Sequence, residues 1–187
     1  PVYAELTGGY FDAIEVQIFL NLLAIIDNPL QDIPLISVLR SPIGGFSTEE
    51  LITLRADCRE GLFYEALKVG ADRDTPLGHK AGGFLGRLKR WRAQGELYDI
   101  TELIAMLLED TGFENYVSAL PGGQSRHANL EALIKNAGIY SNSGHGIRGF
   151  LRFMEKARSG DSLGAAQIAS ANVVRLISIH KSKGLEF

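Results

Sequence analysis

The chain has 187 residues, 45% of them hydrophobic, enough to bury a core and to build one domain plus part of another. Its net charge of −3 excludes a global positive field that would draw the whole molecule onto nucleic acid or an anionic membrane, so any such surface has to be local. There is no apolar run long enough to span a membrane and no charged-then-apolar leader, so neither a membrane partner nor secretion is expected and the expected location is the cytoplasm.

In chain order, "PVYAEL" reads as a short strand and "TGGYF" as a turn in which Gly8 and Gly9 allow backbone angles closed to other residues. From Ala13 to Ile26 apolar residues cover most of a helical circumference, which predicts a helix buried on several sides. Pro29 ends it. "DIPLISVLR" predicts a second helix with Pro34 in its first turn, where proline is tolerated. "SPIGGFSTEEL" is a turn into a third helix, whose start is marked by the capping-box spacing of Ser47 and Glu50. Leu51, Leu54 and Cys58 continue one face, so the lone cysteine is expected to be a buried, reduced thiol.

Further helices are predicted at about 60–68, 79–94, 99–111, 113–119, 127–138 and 145–158, separated by Gly, Pro, Ser and Asn clusters. "SGDSLGAAQIASAN" is a connection rather than a core element. "VVRLISI" has the β-branched, nearly unbroken apolar character of a strand covered on both faces. The expected fold is therefore mainly α, a helical block flanked by short strand-containing pieces of an α/β domain, as an insertion into a sheet domain would give. Pro1 in place of a methionine, and a strand pattern close to the last residue, add the expectation of a piece cut from a larger protein.

Ligands of open α/β sheets bind beyond the carboxyl ends of the strands, which is where "HKSKG" follows the last strand pattern. His180, Lys181 and Lys183 are phosphate-binding candidates, Ser182 offers a hydroxyl, and Gly184 allows close backbone approach. Glu186 would repel phosphates and suits sugar hydroxyls or a basic neighbour better. A solvated basic turn is the competing reading.

Two helical stretches carry basic faces. "HKAGGFLGRLKRWRAQ" puts Arg87, Lys89, Arg90 and Arg92 around Trp91, and "HGIRGFLRFMEKAR" repeats Arg148, Arg152 and Lys156 every fourth residue, opposite Phe150 and Met154. Each is a DNA-tracking face or a merely solvated one, and Trp91 is a base-stacking platform or a core residue. His79, His127 and His145 have no cysteine or carboxylate at ligand spacing, so no metal site is expected.

"VVRLISIHKSKGLEF" resembles motif V of the UvrD-like superfamily 1 DNA helicases, and the stretch from "VYAELTGGYF" to "LRSP" is similar to the region where these proteins enter their inserted domain. The wording "NPLQDIPL" and "LRSPIGGFS" is most like their helicase–nuclease branch. The resemblance implies that residues 1–40 and 170–187 belong to the second motor domain, 2A, and residues 41–169 to the helical insertion, 2B.

It also implies roles: His180 and Lys183 near the single-stranded DNA track, Gly184 for close backbone approach, and Glu186 toward the ATP ribose, with Lys181 and Ser182 at variable spacer positions. The implied parent uses ATP and Mg2+, unwinds DNA 3′ to 5′ with exonuclease activity, works beside a partner protein, and serves double-strand break repair and recombination.

"PIGGFS" departs from the family's Pro-x-Arg-Gly-Ile-Gly turn by placing Gly44 at the arginine and Ser47 at the last glycine, which leaves Gly45 to present amides to a phosphate near the third helix. No phosphate loop, and no catalytic residue, is present in these 187 residues, so hydrolysis of ATP by this piece alone is not expected. A UvrD-like repair helicase without a nuclease, and a stand-alone helical DNA-binding or protein-interaction module, are the alternatives.

Overall fold

The computed structural model describes residues 2–4, 9–141, 146–159 and 174–176, with side chains for 9–141 and 146–159. These residues form a mainly helical body. After strand β1 (Val2–Ala4) and a 3-10 turn (Tyr10–Asp12) come α1 (Ile14–Asp27), α2 (Asp32–Arg40), α3 (Thr48–Asp57), α4 (Phe63–Ala71) and α5 (Pro76–Gly95). They are followed by α6 (Ile100–Thr111), α7 (Phe113–Ser118), α8 (Gly123–Ser141), α9 (Ile147–Ser159) and strand β2 (Val174–Leu176). The two strands pair in parallel, Val2 opposite Val174 and Ala4 opposite Leu176.

Helix α1 is the axis of the packing, set against α2, α5, α8 and α9. Its wide apolar surface explains this: Val16, Phe19, Leu22, Leu23 and Ile25 are fully buried on different sides. The helix stops at Asn28, and Gln31 folds back so that its side-chain Nε2 donates to the Ala24 and Asn28 carbonyls, each at 3.1 Å. Leu30 N–H in turn donates to Asn28 Oδ1, and the chain reverses into α2 within four residues, 28–31. One core runs from Phe19 and Leu39 through Leu67 and Trp91 to Leu133 and Phe150, crossing residue 40 without interruption.

Helix starts are set by local chemistry. Ser47 Oγ accepts from the Glu50 amide while Glu50 Oε2 accepts from the Ser47 amide at 2.7 Å, closing the expected capping box. Asp99 and Glu102 repeat the device at α6. Helix α5 begins at Pro76, earlier than predicted, because Thr75 Oγ1 caps the Gly78 amide and proline suits the first helical position. Helix α3 ends at Asp57, so Cys58 is its cap residue and only half buried, which corrects the expectation of a core thiol.

One charge is buried with its partners in place. Glu15, 2% exposed, lies against α8, where Arg126 Nη1 and Asn129 Nδ2 each donate to its carboxylate at 2.7 Å. Both carboxylate oxygens are thus satisfied, the condition under which a buried ion pair is tolerated.

Candidate nucleic-acid interface

Among the described residues, three regions hold the candidate DNA contacts named above, and the fold treats them differently. The first is the turn 41–46, whose form is dictated by Gly44. A Cβ at Gly44 would lie 2.5 Å from both the Cα and the carbonyl oxygen of Leu39, so only glycine lets the turn lie against the end of α2. Gly45 has φ +70°, in the left-handed region, and its N–H donates inward to the Ser41 carbonyl at 2.7 Å.

That inward bond corrects the expectation that Gly45 offers its amide to a phosphate. The outward groups of the turn are carbonyls, and each is met by a cation: Arg87 donates to Ile43 O at 2.9 Å, Lys80 to Gly45 O at 2.8 Å and Arg40 to Phe46 O at 3.0 Å. The adjoining start of α3 carries Glu49 and Glu50, which oppose an anion there. Lys80 Nζ also lies 2.6 Å from Glu50 Oε2. That contact and the Ser47 amide hold the Glu50 carboxyl below its ordinary range.

The second region is α5. Trp91 is fully buried, its ring edge-on to Phe84 at 6.3 Å and its Nε1 donating to Asp110 at 2.6 Å, so it is a core residue and not a stacking platform. Arg87 lies over Phe84 and Trp91, with its guanidinium 5.7 and 5.5 Å from the ring centroids. Burial pulls its affinity for the proton down, and the Asp110 charge opposes that shift. Arg87 is therefore a strut between α5 and the turn. Lys89 and Arg90 remain exposed, and Arg92 is half buried.

The third region is α9, where Phe150, Met154 and Ala157 face the core and Arg148, Arg152 and Lys156 are exposed, as the spacing predicted. Arg148 and Arg152 line a groove of about 540 Å3 between α9 on one side and α1 and α2 on the other. Its floor includes Leu20, Leu151 and Met154, and its far wall includes Gln17, Asn21 and Gln31. The donor groups of those three amides are committed internally, to Phe11 O, Ser37 Oγ and the end of α1. Arg148 Nε lies 3.2 Å from Asp27 Oδ2, whereas Arg152 forms no ion pair with any described residue.

Arg158 also lines this groove, although the every-fourth-residue pattern does not reach it; its place seven residues after Leu151, about two helical turns, was the available signal. Lys156 sits beside the groove without lining it. Three guanidiniums against the carboxylates of Asp27 and Glu155 leave a surplus of one positive charge along the lining, and Asp12 lies 4.0 Å from Arg158.

His180, Lys183, Gly184 and Glu186, together with Lys181, Ser182 and His145, lie outside the described residues. His127 does have carboxylate neighbours: Glu114 lies 3.0 Å from its Nε2 and Glu131 3.8 Å from its Nδ1. Because the two acids approach opposite ring nitrogens they do not converge on one point, and no set of three or more His, Cys, Asp or Glu among the described residues is arranged to hold a metal ion. Among the described residues no helix is long and apolar enough to cross a membrane.

Comparison with known proteins adds a second line of information. No family model matches the chain. Over its whole length the chain is 45% identical to the AddA subunit of the ATP-dependent helicase/nuclease of Thermoanaerobacter pseudethanolicus. It is 47% identical to the protein of that name from Alkaliphilus oremlandii and 48% identical to the one from Bacillus licheniformis. In each case the chain spans 16% of the relative's length. The resemblance carried by the terminal motif thus extends through the helical middle, whose amphipathic pattern is not diagnostic by itself.

Proposed function

We propose that this chain is a segment of an ATP-dependent helicase–nuclease of the AddA type, and that it contributes a DNA-facing helical module to that parent. Identity of 45–48% across the entire chain supports the kinship, since all the relatives named above carry the helicase/nuclease title. In this reading residues 1–40 and 170–187 belong to motor domain 2A, residues 41–169 to the 2B insertion, and the β1–β2 pair to the edge of the motor sheet. The parent would use ATP and Mg2+, process DNA ends in break repair and recombination in the bacterial cytoplasm, and work with an AddB-type partner. Glu186 and Gly184 would face the nucleotide; His180 and Lys183 would face the single strand.

Within the segment, the DNA contact is the α9 groove. The observation that carries this is Arg152, exposed on the groove wall with no ion pair to any described residue, flanked by Arg148 and Lys156 at one-turn intervals. A guanidinium presents five N–H donors in a fixed fork suited to phosphate oxygens. Contact to phosphate displaces condensed counterions, so binding through this face has to weaken as salt rises.

The test is the salt dependence of single-stranded DNA binding by a variant carrying Arg148→Gln, Arg152→Gln and Lys156→Gln. The slope of log affinity on log salt should flatten by about two units, close to 0.7 for each cation removed. An unaltered slope would mean that the face is only solvated.

A further inference from the structure

Away from both the α9 groove and the 41–46 turn, α4 and α5 enclose a second recess, of about 350 Å3. Its lining is Tyr64 and Lys68 from α4 with Leu85, Gly86, Leu88, Lys89 and Arg92 from α5. Three of these side chains are cationic and none is acidic, a surplus of three charges in a smaller space than the groove, which has a surplus of one. Leu85, Leu88, Lys89 and Arg92 recur along α5 at helical spacing, so the cations edge an apolar floor.

Two details set this recess apart from a solvated basic surface. Arg92 Nη1 is buried and has no hydrogen-bond partner among the described residues, although buried guanidinium nitrogens are normally satisfied. Gly86 sits inside a long helix, where glycine is unfavourable, yet a Cβ added there would meet nothing within 4 Å. Packing does not require this glycine. Its lack of a side chain keeps the recess open beside Lys89 and Arg92.

We infer that the recess between α4 and α5 is a binding site for a phosphate group, with Arg92, Lys68 and Lys89 supplying charge from its lining and Tyr64 beside them. An oxyanion of that kind offsets the charge surplus, including that of the Arg92 guanidinium, whose Nη1 has no acceptor among the described residues. The phosphate belongs either to a nucleic-acid backbone or to a free phosphate-bearing small molecule. This inference stands independently of the α9 reading.

The experiment is a titration of the 187-residue chain with inorganic phosphate, followed by amide and guanidinium NMR shifts against chloride at matched ionic strength. The largest shifts are expected at residues 64, 68, 86, 89 and 92. Gly86→Asp, which adds a carboxylate where space is free, should weaken phosphate binding at least about tenfold. Lys68→Gln with Lys89→Gln provides a second variant should the first perturb the fold, and is expected to weaken it severalfold. Arg152→Gln should leave the shifts at those five residues unchanged.

Competition by a short oligothymidylate at the same residues would identify a nucleic-acid phosphate; phosphate binding without that competition would identify a small-molecule one. Shifts no larger than those with chloride, or undiminished phosphate affinity in the folded Gly86→Asp or double-lysine variant, would overturn the site.

Discussion

The cations packed around the 41–46 turn, from α2 and α5, and those on the exposed face of α9 look alike in sequence, each set offering three or four basic residues beside aromatic and aliphatic neighbours. In the fold they do opposite things. Arg40, Lys80 and Arg87 are spent on the carbonyls of Phe46, Gly45 and Ile43, so their charges fasten a turn onto a helix. Arg152 on α9 has no ion-pair partner among the described residues and lines a groove. What separates a structural cation from a binding cation is the acceptor facing it, which the residue's own helix does not reveal.

The contrast is sharpest where a cation is buried with its partner. Arg126→Met should cost about 3–5 kcal/mol, because it leaves the Glu15 carboxylate buried without its charge partner. Chemical denaturation measures this, and a loss under about 1 kcal/mol would mean that the pair is solvent-relaxed. Gly44→Ala should follow, at about 1–3 kcal/mol, since the added methyl meets the Leu39 backbone. The same denaturation midpoint is the readout.

Ser47→Ala removes the cap of α3 and should cost about 1 kcal/mol. The smallest effect is one of pH. Glu50 titrates below its ordinary range when folded, so the unfolded chain binds the proton more readily as the medium is acidified. Its contribution to stability is present above the ordinary carboxylate range and disappears as the pH falls through the lowered folded value. Denaturation midpoints measured across that acid range should therefore fall less steeply in Glu50→Gln than in the unsubstituted chain.

The local part of this architecture is legible in the sequence. Ser47 and Glu50 are three residues apart, and Pro29 and Pro34 bracket a reversal, so the bounds of α2 and the start of α3 follow from neighbours alone. The start of α5 is equally local, in Thr75 and Pro76, yet the apolar period places it three residues late, at 79 instead of 76. Long-range pairings have no such signal. Glu15 and Arg126 are 111 residues apart, and Arg87 and Ile43 are 44 apart.

For the same reason helical spacing finds the exposed face of α9, whose burial pattern is set by one helix, but does not resolve Arg87 from Lys89 on α5. His127 is a mixed case: Glu131 lies four residues on and is legible, whereas Glu114 reaches it only through the packing of α7 on α8.

The most direct measurement sets Arg152→Gln against Arg87→Gln, two substitutions that remove the same charge. In single-stranded DNA binding across a salt series, Arg152→Gln should flatten the slope by about 0.7 while stability stays within about 0.5 kcal/mol. Arg87→Gln should lose about 1–3 kcal/mol of stability and keep the slope of the unsubstituted chain. A flattened slope for Arg87→Gln with none for Arg152→Gln would contradict this division of labour.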